Sequence, residues 1–465
     1  MTHTPAQDEV RRLLGTIEEL DPLIHAVCAE NPHALAEAET LDRETAAGRS
    51  RSPLHGQAVL VKDNIDTAGL ASTAGSLALA DSPPWRDAPL VRRLREAGMV
   101  LLGKSNLSEW ANIRDEHSTS GWSAHGGLTR NPYALNRTAW GSSSGSGAAV
   151  AARFAAYAVG TETDGSITAP AAACGLVGLK PTVGLVPTEG VVPISWSQDS
   201  PGPMALTVAD TAALLDVLAG TSTADDLARH VRGRRIGVPR DLWGAGPAAE
   251  GAAERALEWL SQAGAVVVDD LAMPTLHDLG GEAELTVLLV ELKVSLTRYL
   301  ETRDAQVRTL ADVIAFNRSH AAHELQWFGQ SLLEKAQETE GVASAAYLES
   351  VDACTAAGLA ELDRTLGEHD LDALIAPPMA PAPPIDLVNG DPGGGDGPGA
   401  CTSSALAGTP ILTVPVELAH GLPVAVSMWG ARGSESTLLQ LGRALESGRD
   451  ASIGPLPPPT FPEWV

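Results

Sequence analysis

Eight strand-sized apolar runs alternate with helical patterns along this chain, and that alternation restricts its fold more than any other feature. The runs are Ala58–Val61, Met99–Leu102, Ala156–Val159, Ile236–Val238, Val266–Val268, Leu374–Ile375, Leu412–Val414 and Val424–Met428. Helical periodicity separates several of them, as at Leu90–Glu96, Val208–Leu218 and Ala252–Gln262. Strands that alternate with helices predict an α/β layered sheet. Two helices are expected before the first run. One carries Val10, Leu13, Leu14, Ile17 and Leu20 at helical spacing until Pro22 breaks it, and the other covers Pro32 to Ala46. Residues from about Glu282 to Ser350 read as helical almost throughout. They predict a helical cap or insertion laid on the sheet. Pro377 to Pro398 is too rich in proline, glycine and aspartate for regular structure, and is long enough to be functional or mobile. No internal repeat is present.

Composition narrows the class. A chain of 465 residues, 44% of them hydrophobic and 19% charged, can bury a large core as a folded soluble protein. Its formal net charge of −26 repels phosphate backbones, so nucleic acid is not expected as a ligand. Cys28, Cys174, Cys354 and Cys401 are scattered without a CxxC pair and read as free thiols. The opening MTHTPAQDEVRRLL has no apolar signal stretch, and the richest apolar run, Ala148–Val159, is short and carries Arg153. No membrane association follows, and the cytoplasm is the expected compartment.

Chemistry concentrates between Trp140 and Pro181. A first small-residue cluster, Gly141-Ser142-Ser143-Ser144-Gly145-Ser146-Gly147, opens an Ala-rich helix. A second, Glu162-Thr163-Asp164-Gly165-Ser166, follows a strand-like run. Backbone N–H groups in such turns suit an anion or a developing oxyanion. A phosphate-binding P-loop fails because Gly-x-x-x-x-Gly-Lys-Ser/Thr is absent. Gly141-x-Ser143-x-Gly145 fits a nucleophile elbow only if a strand precedes it, and Asn136-Arg137-Thr138 reads as loop. A flexible linker does not suit the apolar flanks.

These blocks resemble the amidase signature family. Its pattern of a Gly/Ser block, an Ala-rich helix, a strand and a second Gly/Thr/Ser block is similar to Trp140–Ser146 and Gly160–Ser166, followed by Pro170 and Gly178–Pro181. Upstream, Val61-Lys62-Asp63-Asn64, Leu102–Asn106 and Thr129–Pro132 also match, as do Ser197–Pro203, Ala407–Pro410 and Gly421–Pro423 further on. The likeness spans roughly residues 55 to 445. Within the family the resemblance points to bacterial peptide amidases, through Asn106–Asn112, Ser120–Ala124, Gly160–Ile167 and Ala315–Asn317.

The resemblance implies an amidase that cleaves a small neutral or C-terminal carboxamide, on a peptide amide, to carboxylate and ammonia. It implies Ser166 as nucleophile, Ser142 as a bridging serine after a cis Gly141–Ser142 bond, and Lys62 as base. A serine needs a partner to remove its proton, and a lysine serves only when neutral, whereas arginine never can. Backbone N–H groups of Thr163, Asp164, Gly165 and Ser166 would form the oxyanion hole. Asn112, Trp122, Ser143, Phe316 and Asn317 are candidate substrate contacts, with His117 and His125 close by.

The implied architecture is one domain over residues 1–465. A layered mixed β-sheet between helices has its catalytic core at 55–220, and an insertion at 280–350 lines the groove. Three positions depart from the family: Trp140 and Asp164 stand at glycine positions, and Thr168 replaces an arginine. The alternatives are the glutamine-hydrolysing, A-type subunit of a tRNA-dependent amidotransferase, a general small or aryl amide hydrolase, and a non-catalytic binding protein. The insertion between Glu109 and Arg130 argues against the first. No cofactor and no metal are implied, and His320 and His323 read as a solvated helix face. Beyond an amide substrate no partner is implied, so a monomer or homodimer is expected.

Overall fold

Two apolar faces on each central strand dictate where this chain places its layers. The computed structural model describes residues 5–392 and 399–465. Its main sheet has 11 strands. In chain order they are β1 (Val27–Glu30), β2 (Ala58–Lys62), β3 (Val100–Ser105), β4 (Tyr157–Glu162), β5 (Val177–Lys180) and β6 (Ser200–Ala205). Then come β7 (Arg235–Pro239), β8 (Val266–Leu271), β9 (Ala373–Ala376), β10 (Ile411–Ala419) and β11 (Leu422–Trp429). Across the sheet the order is β1-β3-β2-β4-β6-β5-β10-β11-β9-β7-β8. Parallel ladders join β3, β2 and β4 on one side and β9, β7 and β8 on the other. The strands between pair antiparallel.

Helices cover both faces. They are α1 (Ala6–Ile24), α2 (Ala34–Ala46), α3 (Pro89–Glu96), α4 (Ser144–Ala151), α5 (Thr168–Ala173), α6 (Val208–Ala219), α7 (Gly246–Gln262) and α8 (Pro274–Glu301), followed by shorter ones and Glu435–Ser452. In β2, Val59 and Val61 point into the layer built from α3, α6, α7 and the last helix, while Ala58 and Leu60 point into the layer of α1, α2 and α4. That period of two makes β2 apolar throughout, as a strand covered on both faces must be. The expected layered mixed sheet is present.

Three strands of the main sheet escaped the apolar-run reading. β1 and β5 are only four residues long, and β6 reads Ser-Pro-Gly-Pro-Met-Ala. Prolines are tolerated in β6 because β5 pairs with it only through Met204 and Ala205. Gly202 is required there, since a Cβ would lie 2.1 Å from the Leu179 carbonyl oxygen. Pro22 also behaves differently from expectation, for α1 continues past it to Ile24. The proline sits in the last turn, where the helix is about to end at left-handed His25.

Helices dominate residues 280–350, as expected. Leu289, Leu292, Leu296 and Leu300 of α8 pack with Val313, Ile314 and Leu333 against Ala74, Leu79, Trp110 and Ile194. The insertion is therefore fastened to loops at the strand ends. Residues 393–398 of the Pro/Gly-rich loop lie outside the described residues. Its preceding part docks on the segment 117–120: Thr119 Oγ1 donates to the Asp386 carbonyl at 2.7 Å, and Asp391 accepts the Ser120 N–H at 3.0 Å. Among the described residues no helix is long and apolar enough to cross a membrane.

Candidate active site

Lys62 ends β2 in a fully buried position. Its Nζ lies 2.8 Å from Ser142 Oγ, 2.9 Å from Thr161 Oγ1 and 3.2 Å from the Thr161 carbonyl oxygen. A neutral amine has two N–H donors and one lone pair. Donation to the two Thr161 oxygens leaves the lone pair for the Ser142 hydroxyl proton. Burial brings the Lys62 pKa down to about 7, against the opposing pull of Asp199 and Glu162. At neutral pH about half of such lysines are free amine.

Ser142 follows a cis peptide bond from Gly141. Gly141 cannot carry a side chain, because its Cβ would lie 2.1 Å from Ser108 Oγ. Two backbone bonds hold the turn: Ser108 N–H donates to the Ser142 carbonyl at 3.1 Å, and Ser143 N–H to the Ser166 carbonyl at 3.0 Å. The second ties the Ser142 segment directly to the Ser166 segment. Among the described residues the Ser166 hydroxyl forms no hydrogen bond with another protein group.

The turn that carries Ser166 presents its backbone inward. Gly165 has φ +78°, a left-handed conformation that glycine adopts freely. Among the described residues, the N–H groups of Thr163, Asp164, Gly165 and Ser166 donate to no protein acceptor. The next two N–H groups, of Ile167 and Thr168, are taken by Glu162 Oε2 at 2.7 and 2.8 Å. Glu162 thus holds the base of the turn and leaves four successive donors open above it. Asp199 fixes the other side, accepting from Thr163 Oγ1 at 2.6 Å and from the N–H groups of Ile194 and Ser195 at 2.8 and 3.0 Å. Burial raises its pKa to about 6. Asp164 points its carboxylate toward Thr402, whose hydroxyl donates at 2.8 Å, and burial raises that pKa to about 6 as well.

The remaining candidates separate by burial and partner. Ser143 is fully buried, its hydroxyl donating to the Thr161 carbonyl at 3.1 Å and accepting the Thr161 N–H at 3.2 Å. The elbow reading therefore loses its serine, even though a strand, Ala134–Thr138, does precede the block where a loop was expected. Thr168 is buried too, with its hydroxyl on Glu162. Asn317 donates to Gln330 at 3.0 Å, and Phe316 stacks on His320 with centroids 4.0 Å apart.

Trp122 meets Phe328 edge-on at 5.2 Å, with the Arg114 guanidinium 4.9 Å from the Trp122 ring and 4.0 Å from Phe328. Asn112 lies in an unusual run: Trp110, Ala111 and Asn112 have φ of 51°, 55° and 74°. Three consecutive non-glycine residues in that region mark a backbone the fold holds against its preference, a pattern that clusters at functional sites. Asn112 Oδ1 is buried without a partner.

One described cavity reaches the turn, and a second adjoins the first. A small crevice is lined by Asn64, Ala111, Thr161, Thr163 and Asp199. A larger one, of about 520 Å³, is lined by Trp85, Ser195, Trp196, Arg298 and Tyr299 and meets the first only at Val191 and Asp199. Ser166 borders neither. The small crevice reaches the turn through Thr163, and the larger one is the roomier neighbour. Glu291 of α8 anchors a wall of the larger cavity, accepting from Ser195 Oγ and Ser197 Oγ at 2.6 Å and from Tyr347 at 2.8 Å. Thr161, Glu162 and Glu291 went unassigned in the sequence. Thr161 and Glu162 lie inside the block that flags Ser166, but nothing in a linear reading sets Glu291 apart from other helical glutamates.

Known proteins resemble this chain over nearly its whole length. A family model described as "Amidase" matches residues 8–439. A probable amidase of Arabidopsis thaliana is 36% identical, covering 94% of this chain and 85% of that protein. The A-type subunit of a glutamyl-tRNA(Gln) amidotransferase from Myxococcus xanthus is 35% identical over 96% of this chain and 94% of its own length. Among solved structures, native peptide amidase from Stenotrophomonas maltophilia superposes with a TM-score of 0.91 at 45% identity, covering 97% of this chain and 95% of that one. A peptide amidase in complex with the competitive inhibitor chymostatin gives 0.93, also at 45% identity, over 98% and 96%.

Proposed function

The chain belongs to the amidase family and is an amide-hydrolysing enzyme, and from that premise we propose that it releases ammonia from the C-terminal amide of peptides through an acyl-enzyme on Ser166. The observation that carries the reading is the buried Lys62, which burial brings down to a pKa of about 7 and which lies 2.8 Å from Ser142 Oγ. Lys62 as free amine takes the Ser142 proton while Ser142 takes that of Ser166. The Ser166 oxygen then bonds to the amide carbon. Charge collects on the carbonyl oxygen, which the open N–H groups of residues 163–166 receive. One such donor contributes about 3 to 4 kcal/mol to the transition state. The proton returns through Ser142 to the leaving nitrogen, the C–N bond breaks, and water releases the acid by the same route.

The likeness to peptide amidase supports a peptide on the acyl side, and ammonia as leaving group keeps the other side small. Binding along the peptide orients the carbonyl, so longer amidated peptides gain turnover efficiency over amino-acid amides. The amidotransferase relatives favour a second reading, hydrolysis of glutamine. The test compares ammonia release from an amidated tripeptide, the matching amino-acid amide, the tripeptide extended by one residue, and glutamine. We expect the amidated tripeptide to be preferred. Preference for the extended peptide would make the enzyme a peptidase, for the simple amide a general small-amide hydrolase, and for glutamine a glutaminase.

A further inference from the structure

Away from the serines, the fold brings three unlike metal-ligating side chains together: Cys28 of β1, Asp63 just after β2, and His125 in the turn before Gly127–Leu128. Cys28 Sγ, an Asp63 carboxylate oxygen and a His125 ring nitrogen all lie within 4.8 Å of one another. These residues are far apart in sequence, which is why no ligand spacing announces them.

Cys28 and His125 are only lightly committed elsewhere, whereas Asp63 is held through Thr73 and Lys104. Among the described residues the His125 ring forms no hydrogen bond; only its backbone N–H is engaged, with the Gly75 carbonyl at 2.9 Å. The Cys28 thiol makes one weak contact, to the Lys104 carbonyl at 3.5 Å. Asp63 Oδ2 accepts the Thr73 N–H at 3.1 Å and the Thr73 hydroxyl. Its Oδ1 faces only Lys104 Nζ, at 3.6 Å. Lys104 keeps Ser72 Oγ at 2.8 Å and the Ile65 carbonyl as partners if that oxygen turns away. Cys28 and His125 are half-buried while Asp63 is buried.

We propose that Cys28, Asp63 and His125 form a binding site for one zinc-class divalent cation. One sulfur, one nitrogen and one oxygen suit a borderline ion such as Zn²⁺ or Co²⁺, whereas Mg²⁺ and Ca²⁺ prefer all-oxygen shells. Metal–ligand bonds of about 2.0 to 2.3 Å at tetrahedral angles put ligand atoms roughly 3.3 to 3.8 Å apart. The outer separation here closes by about 1 Å, within the reach of a His125 rotamer on a turn. On binding, the Cys28 S–H bond breaks, the sulfur bonds to the metal, and the proton passes to solvent.

The test titrates the full-length protein with Co²⁺ and follows the thiolate-to-cobalt charge-transfer band. The wild type should reach one equivalent per chain. Cys28→Ser should lose the band, and His125→Ala should weaken binding about 10-fold or more. Because the band reports sulfur ligation directly, the His125→Ala arm still decides the matter if Cys28→Ser folds poorly. Absence of a band in the wild type, or an unchanged titration in His125→Ala, would overturn the proposal.

Discussion

A lysine acts as a base only as the free amine, so the fate of one proton on Lys62 decides the chemistry. The pH dependence follows with a definite sign. Burial lowers the Lys62 pKa from 10.5 to about 7, so the neutral form gains as pH rises through that value. We expect kcat/KM to fall tenfold per unit below an apparent pKa near 7, which a pH–rate profile measures. Lys62→Arg keeps the charge but cannot accept a proton, and should be nearly as inactive as Lys62→Ala. Activity above about a tenth of wild type, a loss of only about 1.4 kcal/mol, would mean that charge rather than basicity is what the position supplies.

Among the elements, one buried guanidinium ties the segment 109–124 to the helical insertion. Arg114 is fully buried, bonded to Glu109 at 2.6 Å and to the carbonyls of Glu324, Phe328 and Gly329 at 2.7, 3.0 and 3.0 Å. Arg114→Ala strips buried Glu109 of its partner and leaves the carbonyls of Glu324, Phe328 and Gly329 without their donor, and should cost about 3 to 5 kcal/mol in denaturant unfolding. In the soluble fraction KM for peptide amides should rise more than kcat falls, since the variant loosens a wall and leaves the serines in place. Local pattern reveals elements unevenly. Apolar runs that are strand-sized and doubly covered, such as Ala58–Val61, announced themselves. β6 did not, because its Pro-Gly-Pro run survives only through its neighbours. The residues proposed for catalysis were legible because three short blocks carry them. The cross-links that set the turn, from Asp199 to Thr163 and from Glu291 to Ser195, pair residues that only folding brings together.

For the whole molecule, the excess of acidic residues acts on encounter more than on the fold. A net charge of −26 attracts cationic substrates over a distance set by the ionic strength, about 10 Å at 0.1 M. Beside the turn, burial and the charge on Asp164 push the Glu284 carboxyl well above the usual range and favour its neutral form, so Asp164 carries the local negative charge. An amidated peptide bearing a lysine side chain should therefore lose kcat/KM as salt rises, while a neutral amidated peptide changes little. Steady-state kinetics at two ionic strengths measures the difference; equal salt responses would place the acidic surface outside the substrate's path.

The proposed catalysis depends on Ser166 being the residue that attacks, and ammonia release from an amidated tripeptide by Ser166→Ala tests that most directly. Ser166 is small and its hydroxyl holds no other part of the fold, so the alanine variant should fold with an unchanged circular dichroism spectrum and lose about 10⁴-fold or more in turnover. Turnover near that of the wild type in a clean preparation would contradict the account.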